Sequence, residues 1–410
     1  MRDKMAKKKL RRVVLAYSGG LDTSVILPWL KETYGCEVIA YIADVGQGEE
    51  LDSAKKRAEA CGAAKVCVED LREEFVQDYV FPALKAGAVY EGSYLLGTSL
   101  ARYIIAGKQV DVAHREDADA VCHGATGKGN DQVRFELTYM ALDPNLVVIA
   151  PWKDENWKIS SREDAIAYAA QHEIPLDVST KDIYSRDRNI WHLSHEGADL
   201  ESPANEPTSN LFKISKPIER TPAEPKYVEI DFEKGTPVGL DGRPMSGCDL
   251  VNELNSVAGN HGVGQVDLVE NRVTGMKSRG VYETPGGTVL HLAHKRLESI
   301  TLDKATAHYK ELVAVKYADL VYSGLWFTPL RRALDAFVNS TQEFVTGTVR
   351  VKLFKGNCTP ASVKSPYSLY LEDLASFEMG DYEPQDAKGF ISLYGLPLKV
   401  VGAIQKQRPS

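Results

Sequence analysis

Two polar stretches carry the residue types and spacing that could hold a phosphorylated ligand. The first is residues 16–24, AYSGGLDTS, in which Ala16, Tyr17, Ser18, Gly19, Gly20, Leu21, Asp22, Thr23 and Ser24 link an apolar run to a helical pattern. Glycines let backbone amides come close to an anion. A helix start adds unpaired N–H groups and the positive end of the helix dipole. Ser18, Thr23 and Ser24 add hydroxyl donors, and the Asp22 carboxylate could hold a magnesium ion. The Walker form fails because the loop has no lysine, and the dinucleotide fingerprint fails because only Gly19-Gly20 is present. The second stretch is residues 122–131, CHGATGKGND, with Gly124, Gly127, Gly129 and Lys128 in one loop. It again suits phosphate or nucleotide contact, and Walker spacing again fails because Gly129 follows Lys128. Asn130 and Asp131 close this loop, with Arg134 one helical turn on. Together they could converge on a zwitterionic amino acid, the amide and carboxylate facing its amine and the guanidinium its carboxylate.

Three further stretches are richer in polar groups than their surroundings. Residues 90–102, YEGSYLLGTSLAR, hold Tyr94 and Ser99, and Ser99 also reads as an ordinary helix cap. Residues 184–197, YSRDRNIWHLSHEG, combine serines, histidines and an aspartate, but no nucleophile elbow surrounds either serine. Their histidines read as hydrogen-bonded structural groups. Residues 269–284, VENRVTGMKSRGVYET, follow a strand pattern, and Glu270 there could face a cationic or urea-like group.

The positioning elements follow from periodicity. Residues 13–16 form a short β-branched run expected as a buried strand of a parallel sheet. Val25, Ile26, Trp29 and Leu30 then mark one face of a helix, although Pro28 falls inside it, where it costs a hydrogen bond. Strands are expected over 37–43, 65–68, 118–122 and 146–150, and helices over 49–61, 71–86, 100–116, 131–142 and 161–172. This alternation predicts a doubly wound parallel α/β domain over residues 13–175, whose ligands sit beyond the carboxyl ends of the strands. From about 175 to 225 the chain turns polar and proline-bearing. Strands over 227–232 and 262–270 and a helix over 250–257 suggest an α+β domain across 178–370. A tail over 373–410 breaks at Glu383-Pro384-Gln385 and ends in a short helix over 396–405 opened by Pro397.

The 410 residues exceed one typical core, and the 43% hydrophobic and 26% charged content are ordinary for a soluble globular chain. A net charge of −8 argues against nucleic acid as the main partner. No apolar run approaches membrane-spanning length, and the first 12 residues read as a solvated basic leader, with Met5 an alternative start. Six scattered cysteines have no metal-type pairing and are expected as buried free thiols of a reducing cytoplasm.

SGGLDTS resembles the PP-loop of ATP pyrophosphatases, which cleave ATP between the α- and β-phosphates. With ADVGQGEE, YLLGTSLAR, HGATGKGND, WHLSHEG, HGVGQVDLVENR and GMKSRGVYETP in order behind it, nearly the whole chain resembles the argininosuccinate synthase family. That resemblance implies an adenine nucleotide alpha hydrolase-like sheet domain, a synthetase domain and a C-terminal oligomerisation helix. It implies ligation of citrulline to aspartate through a citrullyl adenylate, with ATP as co-substrate, magnesium, no organic prosthetic group and a homotetramer. By motif, residues 16–24 with Ala43 and Gly124 would hold ATP. Thr126, Asn130 and Asp131 would bind aspartate. Tyr94, Ser99, Asn130, Arg134, Ser185, Ser194, Glu270 and Tyr282 would bind citrulline. Asp22 and Lys128 would act electrostatically on the departing pyrophosphate. Cys122 departs from the small residue expected there. A PP-loop enzyme acting on tRNA and a non-catalytic nucleotide-binding regulator are the alternatives. The former would want a basic face, and the latter has no use for the polar amino-acid-binding stretches.

Overall fold

The computed structural model describes residues 10–48, 51–127, 129–175, 183–375 and 383–407. The leader before residue 10 and Lys128 lie outside the described residues. In chain order the first elements are β1 (Arg12–Ala16), α1 (Leu21–Tyr34), β2 (Glu37–Asp44), α2 (Leu51–Ala60) and β3 (Lys65–Asp70). There follow α3 (Arg72–Phe75), a π-helical turn over Val76–Val80, α4 (Phe81–Ala86), α5 (Gly97–Arg115), β4 (Ala120–Cys122), α6 (Asp131–Leu142), β5 (Val147–Ile149) and α7 (Arg162–Gln171). The five strands make one parallel sheet in the order β3-β2-β1-β4-β5. The chain therefore builds outward from β1 to one side and then crosses to the other. A crevice opens at that reversal, beyond the carboxyl ends of β1 and β4.

The winding on both faces is visible in β1 itself. Val13 and Leu15 point into a cluster with Val25, Ile26 and Leu30 of α1, while Val14 points the other way, toward Ala106 and Val110 of α5 and Tyr139 of α6. All three strand residues are fully buried, which is why the run is apolar throughout rather than alternating. α1 continues through Pro28, because burial of Ile26, Leu27, Trp29 and Leu30 outweighs one missing backbone bond. α7 opens with Ser161 and Asp164 in a reciprocal capping box.

The chain continues through β6 (Ser185–Arg188), β7 (Leu193–Glu196), β8 (Lys226–Glu233), β9 (Thr236–Leu240), β10 (Arg243–Pro244) and α8 (Gly247–Asn260). It then forms β11 (Gln265–Asn271), β12 (Lys277–Glu283), α9 (Pro285–Thr301), α10 (Lys304–Tyr322), α11 (Pro329–Thr341), β13 (Gly347–Phe354) and β14 (Asn357–Lys364). Two antiparallel sheets result, ordered β11-β12-β7-β6 and β10-β9-β8-β13-β14. Phe75, Phe81 and Leu84 share one large core with Leu254, Val289, Tyr317 and Val351. The described residues up to Tyr367 accordingly form a single compact unit.

Element boundaries moved where caps or tertiary packing decided them. The helix expected over 250–257 runs from Gly247 to Asn260, with Ser246 accepting from the Asp249 N–H. Ser99 is no cap: it is the third residue of α5, which starts after Leu96 in a left-handed conformation. Beyond Tyr367 the unit is helical, with α12 (Glu372–Ala375), α13 (Pro384–Tyr394) and α14 (Leu396–Gln407). The break expected at 383–385 is the start of a helix. Glu383 accepts from the Gln385 N–H, and Pro384 takes the first position, where its missing N–H costs nothing. No single helix among the described residues is long and apolar enough to cross a membrane, although the bent α13–α14 pair is so by joint composition.

Candidate functional site

The crevice at the strand-order reversal is a cavity of about 820 Å³. Ala16, Tyr17, Ser18, Gly20, Asp22 and Thr23 line it from the first loop, and Ala43 from the end of β2. Gly124, Thr126, Asn130, Asp131 and Arg134 enter from the loop after β4 and from α6. Tyr94 comes from the turn before α5, Ser185 and Ser194 from β6 and β7, and Glu270 and Tyr282 from β11 and β12. Segments up to about 270 residues apart in sequence thus meet at one place. Gly19, Leu21, Ser24 and Ser99 stand behind this surface, and Ser99 is fully buried beside the Tyr94 hydroxyl.

The first loop is shaped for an anion. Gly20 caps α1 in an extended conformation with no side-chain hydrogen bond, so no side chain competes for the first-turn amides. Gly19 sits at φ +78°, and a Cβ there would lie 2.9 Å from the Ala54 Cβ. Arg57 of α2 donates to the Gly19 carbonyl from behind. The Ser18 and Thr23 hydroxyls are 3.1 Å apart, and Tyr17 Oη lies 2.8 Å from Ser24 Oγ. Gly124 brings the second loop against α1, where a Cβ would meet Thr23 at 3.2 Å. The Asp22 carboxyl reaches solvent yet is flanked by protein, and this desolvation raises it above the usual carboxylate range against a partial offset from Arg162.

The opposite wall is charged and aromatic. Arg134 Nη1 donates to Asp131 Oδ1 at 2.9 Å, its Nε donates to the Tyr322 carbonyl, and its guanidinium lies over the Tyr322 ring. Burial works to raise the Asp131 carboxyl, but Arg102 and Arg134 outweigh it and hold it below the usual range. The Asn130 amide is clamped at both ends: Nδ2 donates to Tyr322 Oη at 2.8 Å, and Oδ1 accepts from the Val273 N–H at 2.9 Å. Tyr282 Oη donates to Glu270 Oε2 at 3.1 Å, and the Tyr94 ring stacks on Tyr282. Burial raises the Glu270 carboxyl despite hydrogen bonds from Tyr322 and Tyr282. Both histidines of the 184–197 stretch are hydrogen-bonded: His192 to Thr98 Oγ1 at 3.0 Å, and His195 to Glu283 Oε1 at 2.8 Å.

Sequence reasoning missed several members of this wall. Arg102 and Asp187 lie inside quoted stretches, and only their ion pair singles them out. Tyr322, at the end of α10, has no local signal at all, because its role arises from packing against Tyr90, Asn130 and Arg134. Glu196 and Arg272 pair at 2.8 Å on the cavity rim.

Two family models match the chain: the arginosuccinate synthase N-terminal HUP domain over residues 12–175 and the arginosuccinate synthase C-terminal domain over residues 184–401. An argininosuccinate synthase of Carboxydothermus hydrogenoformans is 62% identical over 396 residues, covering 96% of this chain and 98% of the relative. Those of Pelotomaculum thermopropionicum and Moorella thermoacetica are 61% and 62% identical, each over 97% of this chain and over 99% and 97% of their own lengths. Among solved structures, a predicted subunit of tRNA methyltransferase from Methanocaldococcus jannaschii aligns with a TM-score of 0.27 at 14% identity. It covers 39% of this chain and 75% of its own, too slight a likeness to bear on fold or function.

Proposed function

The chain belongs to the argininosuccinate synthase family, and we propose that its cavity ligates citrulline to aspartate at the expense of ATP, as a step of arginine biosynthesis. The ureido oxygen of citrulline attacks the α-phosphorus of ATP, and the bond to the β-phosphate oxygen breaks to release pyrophosphate. The aspartate amine then attacks the ureido carbon of the citrullyl adenylate. AMP departs with the oxygen, and the amine gives up a proton to yield argininosuccinate. A neutral ureido group is a poor nucleophile, so the protein's contribution is positioning and electrostatic stabilisation rather than covalent chemistry.

The uncapped first turn of α1, with Ser18, Thr23 and the glycine amides, receives the phosphates, and Ala43 and Gly124 border the adenosine. Asp131, kept ionised by two guanidinium groups, faces the ammonium of aspartate, with Thr126 and Asn130 beside it. Glu270, Tyr282 and Tyr94 surround the citrulline side, where Arg134, Ser185 and Ser194 add donors. One solvent-reachable carboxylate beside a phosphate loop suits magnesium, which keeps most of its ligands as water and phosphate oxygens. Asp22 is the residue that would hold it, and the ion would neutralise charge on the pyrophosphate. Lys128 would share that role. The chain is read as a cytoplasmic homotetramer, and the exposed apolar side chains of the tail, among them Leu393 (76% exposed) and Leu398 (73%), support docking of that tail on further copies. Light scattering of a chain lacking residues 385–410 tests that assignment, and an unchanged oligomer removes it.

The observation that carries this reading is the meeting of an uncapped phosphate-type loop and an amino-acid-type wall in one 820 Å³ cavity. Pyrophosphate release from ATP and magnesium, with citrulline and aspartate added singly and together, tests it. Sustained release only with both, matched by AMP, is expected. Release indifferent to citrulline but dependent on an RNA acceptor would replace the synthase with a tRNA-modifying enzyme.

A further inference from the structure

Arg102 pairs with a carboxylate on each half of the amino-acid wall. It projects from α5 into the cavity and is largely buried there, with 16% of its side chain exposed. Its Nε donates to Asp131 Oδ2 on α6 at 2.9 Å, and its Nη2 pairs with Asp187 Oδ2 on β6 at 2.9 Å. Asp131 passes the row on to Arg134, also at 2.9 Å. On the other side, the backbone N–H of Asp187 donates to Ser194 Oγ at 3.3 Å, and that hydroxyl in turn faces the Asp187 carbonyl at 3.4 Å. Four alternating charges, Arg134, Asp131, Arg102 and Asp187, therefore cross the cavity floor from the α6 side to the β6–β7 hairpin.

We infer that Arg102 is a positioning residue whose two-sided ion pair locks the aspartate-facing Asp131 to the citrulline-facing β6–β7 hairpin, so that the two amino-acid subsites are held in one register. This rests on the function proposed above. A planar guanidinium can serve two carboxylates in fixed directions, whereas an ammonium acts as a point charge and cannot keep both bonds in the same plane. The same pairing fixes the charge of Asp131. The titratable and charged groups facing it are Arg102 and Tyr103 from α5, Arg134 from α6, Asp187 from β6, and His192 and Glu196 from the hairpin. Of these only the two arginines are cations at neutral pH. Removing Arg102 leaves Asp131 with one guanidinium and two neighbouring carboxylates, so its carboxyl protonates at a higher pH.

The experiment compares Arg102→Met, Arg102→Lys and Asp187→Asn with the wild-type chain. It measures KM for each amino acid, ATP binding by calorimetry, and the pH profile of kcat/KM for aspartate. Arg102→Met is expected to raise the KM for both amino acids by at least about tenfold, to leave ATP binding intact, and to move the acid limb of the profile to higher pH. Arg102→Lys is expected to restore the acid limb while recovering only part of the KM loss. Asp187→Asn, which keeps Asp131 paired, is expected to raise the citrulline KM more than the aspartate KM. Arg115→Gln removes a guanidinium from the same helix at an exposed pair with Glu69 and is expected to change none of these readings. Arg102→Met raising KM without moving the acid limb reduces Arg102 to scaffolding and overturns the inference, as does Arg102→Met behaving like the wild type. If Arg102→Met fails to bind ATP, the lysine and Asp187 variants decide by the same two readings. A wild-type chain that releases no pyrophosphate with both amino acids present overturns the proposed function, and this inference with it. A competent wild type with an unshifted Arg102→Met variant overturns the inference alone.

Discussion

Residues 16–24 meet the cavity with backbone amides and small hydroxyls, whereas the wall across from them meets it with arginines, carboxylates and tyrosines drawn from α6, β6, β7, β11 and β12. The first surface is a property of one continuous turn, and its donors are fixed by φ and ψ. The second exists only when distant segments pack, and its charges depend on one another: Asp131 on Arg102 and Arg134, Glu270 on Tyr282 and Tyr322. A backbone surface tolerates no side chain where it turns, but it has few groups to titrate. A side-chain surface tolerates conservative replacement at graded cost but is sensitive to acid.

Gly19→Val attacks the backbone surface where it has least freedom, adding a side chain at φ +78° against Ala54. A loss of about a thousandfold in kcat/KM for ATP is expected, with folding intact by circular dichroism. Near-wild-type activity would break the contrast, because the turn would then be dispensable. Glu270→Gln keeps shape and removes charge on the opposite wall. About a hundredfold loss in kcat/KM for citrulline is expected, with ATP affinity unchanged in the same calorimeter. A loss of ATP affinity instead would mean that the two surfaces are not separate.

Acid should separate them further. Burial pushes His192 down to about 4 from its ordinary 6.5, so it is neutral in the folded protein and takes up its proton first when unfolded. Its contribution to stability is therefore complete above pH 6.5 and is lost as the pH falls toward 4. The urea midpoint is expected to decline across that window. A midpoint flat from pH 7 to 5 would remove the titrating histidine from the account. The smallest effect belongs to Tyr282→Phe, which deletes a single 3.1 Å bond to Glu270. About a fivefold rise in citrulline KM, near 1 kcal/mol, is expected from initial rates.

The contrast also explains what could be read from the sequence. The parallel sheet was legible because Val13-Val14-Leu15 is buried on both faces and announces itself as an apolar run, and because Ser18-Gly19-Gly20 encodes its conformation within three residues. Asp131 and Arg134 were legible for a similar reason, being one helical turn apart on α6. Asp187 was not, since its meaning lies in Arg102, 85 positions earlier, and Tyr322 was not, since nothing near it differs from an ordinary helix end. Ser99 was misplaced as a cap because the true boundary, Leu96 in a left-handed conformation, is imposed by tertiary packing and not by residue type.

The segment Arg72–Ala86 leaves the parallel sheet and buries Phe75, Phe81 and Leu84 among side chains that arrive more than 160 residues later. The nucleotide-binding half is for that reason not a portable cassette. Cut near residue 175, it would keep the cover that α5 gives those side chains but lose that of α8, α9 and α10, and on the ribosome they stay partly uncovered until the later helices have emerged. The enzyme's two substrate surfaces are thus born together: the chain does not complete a place for ATP much before it completes a place for the amino acids that spend it.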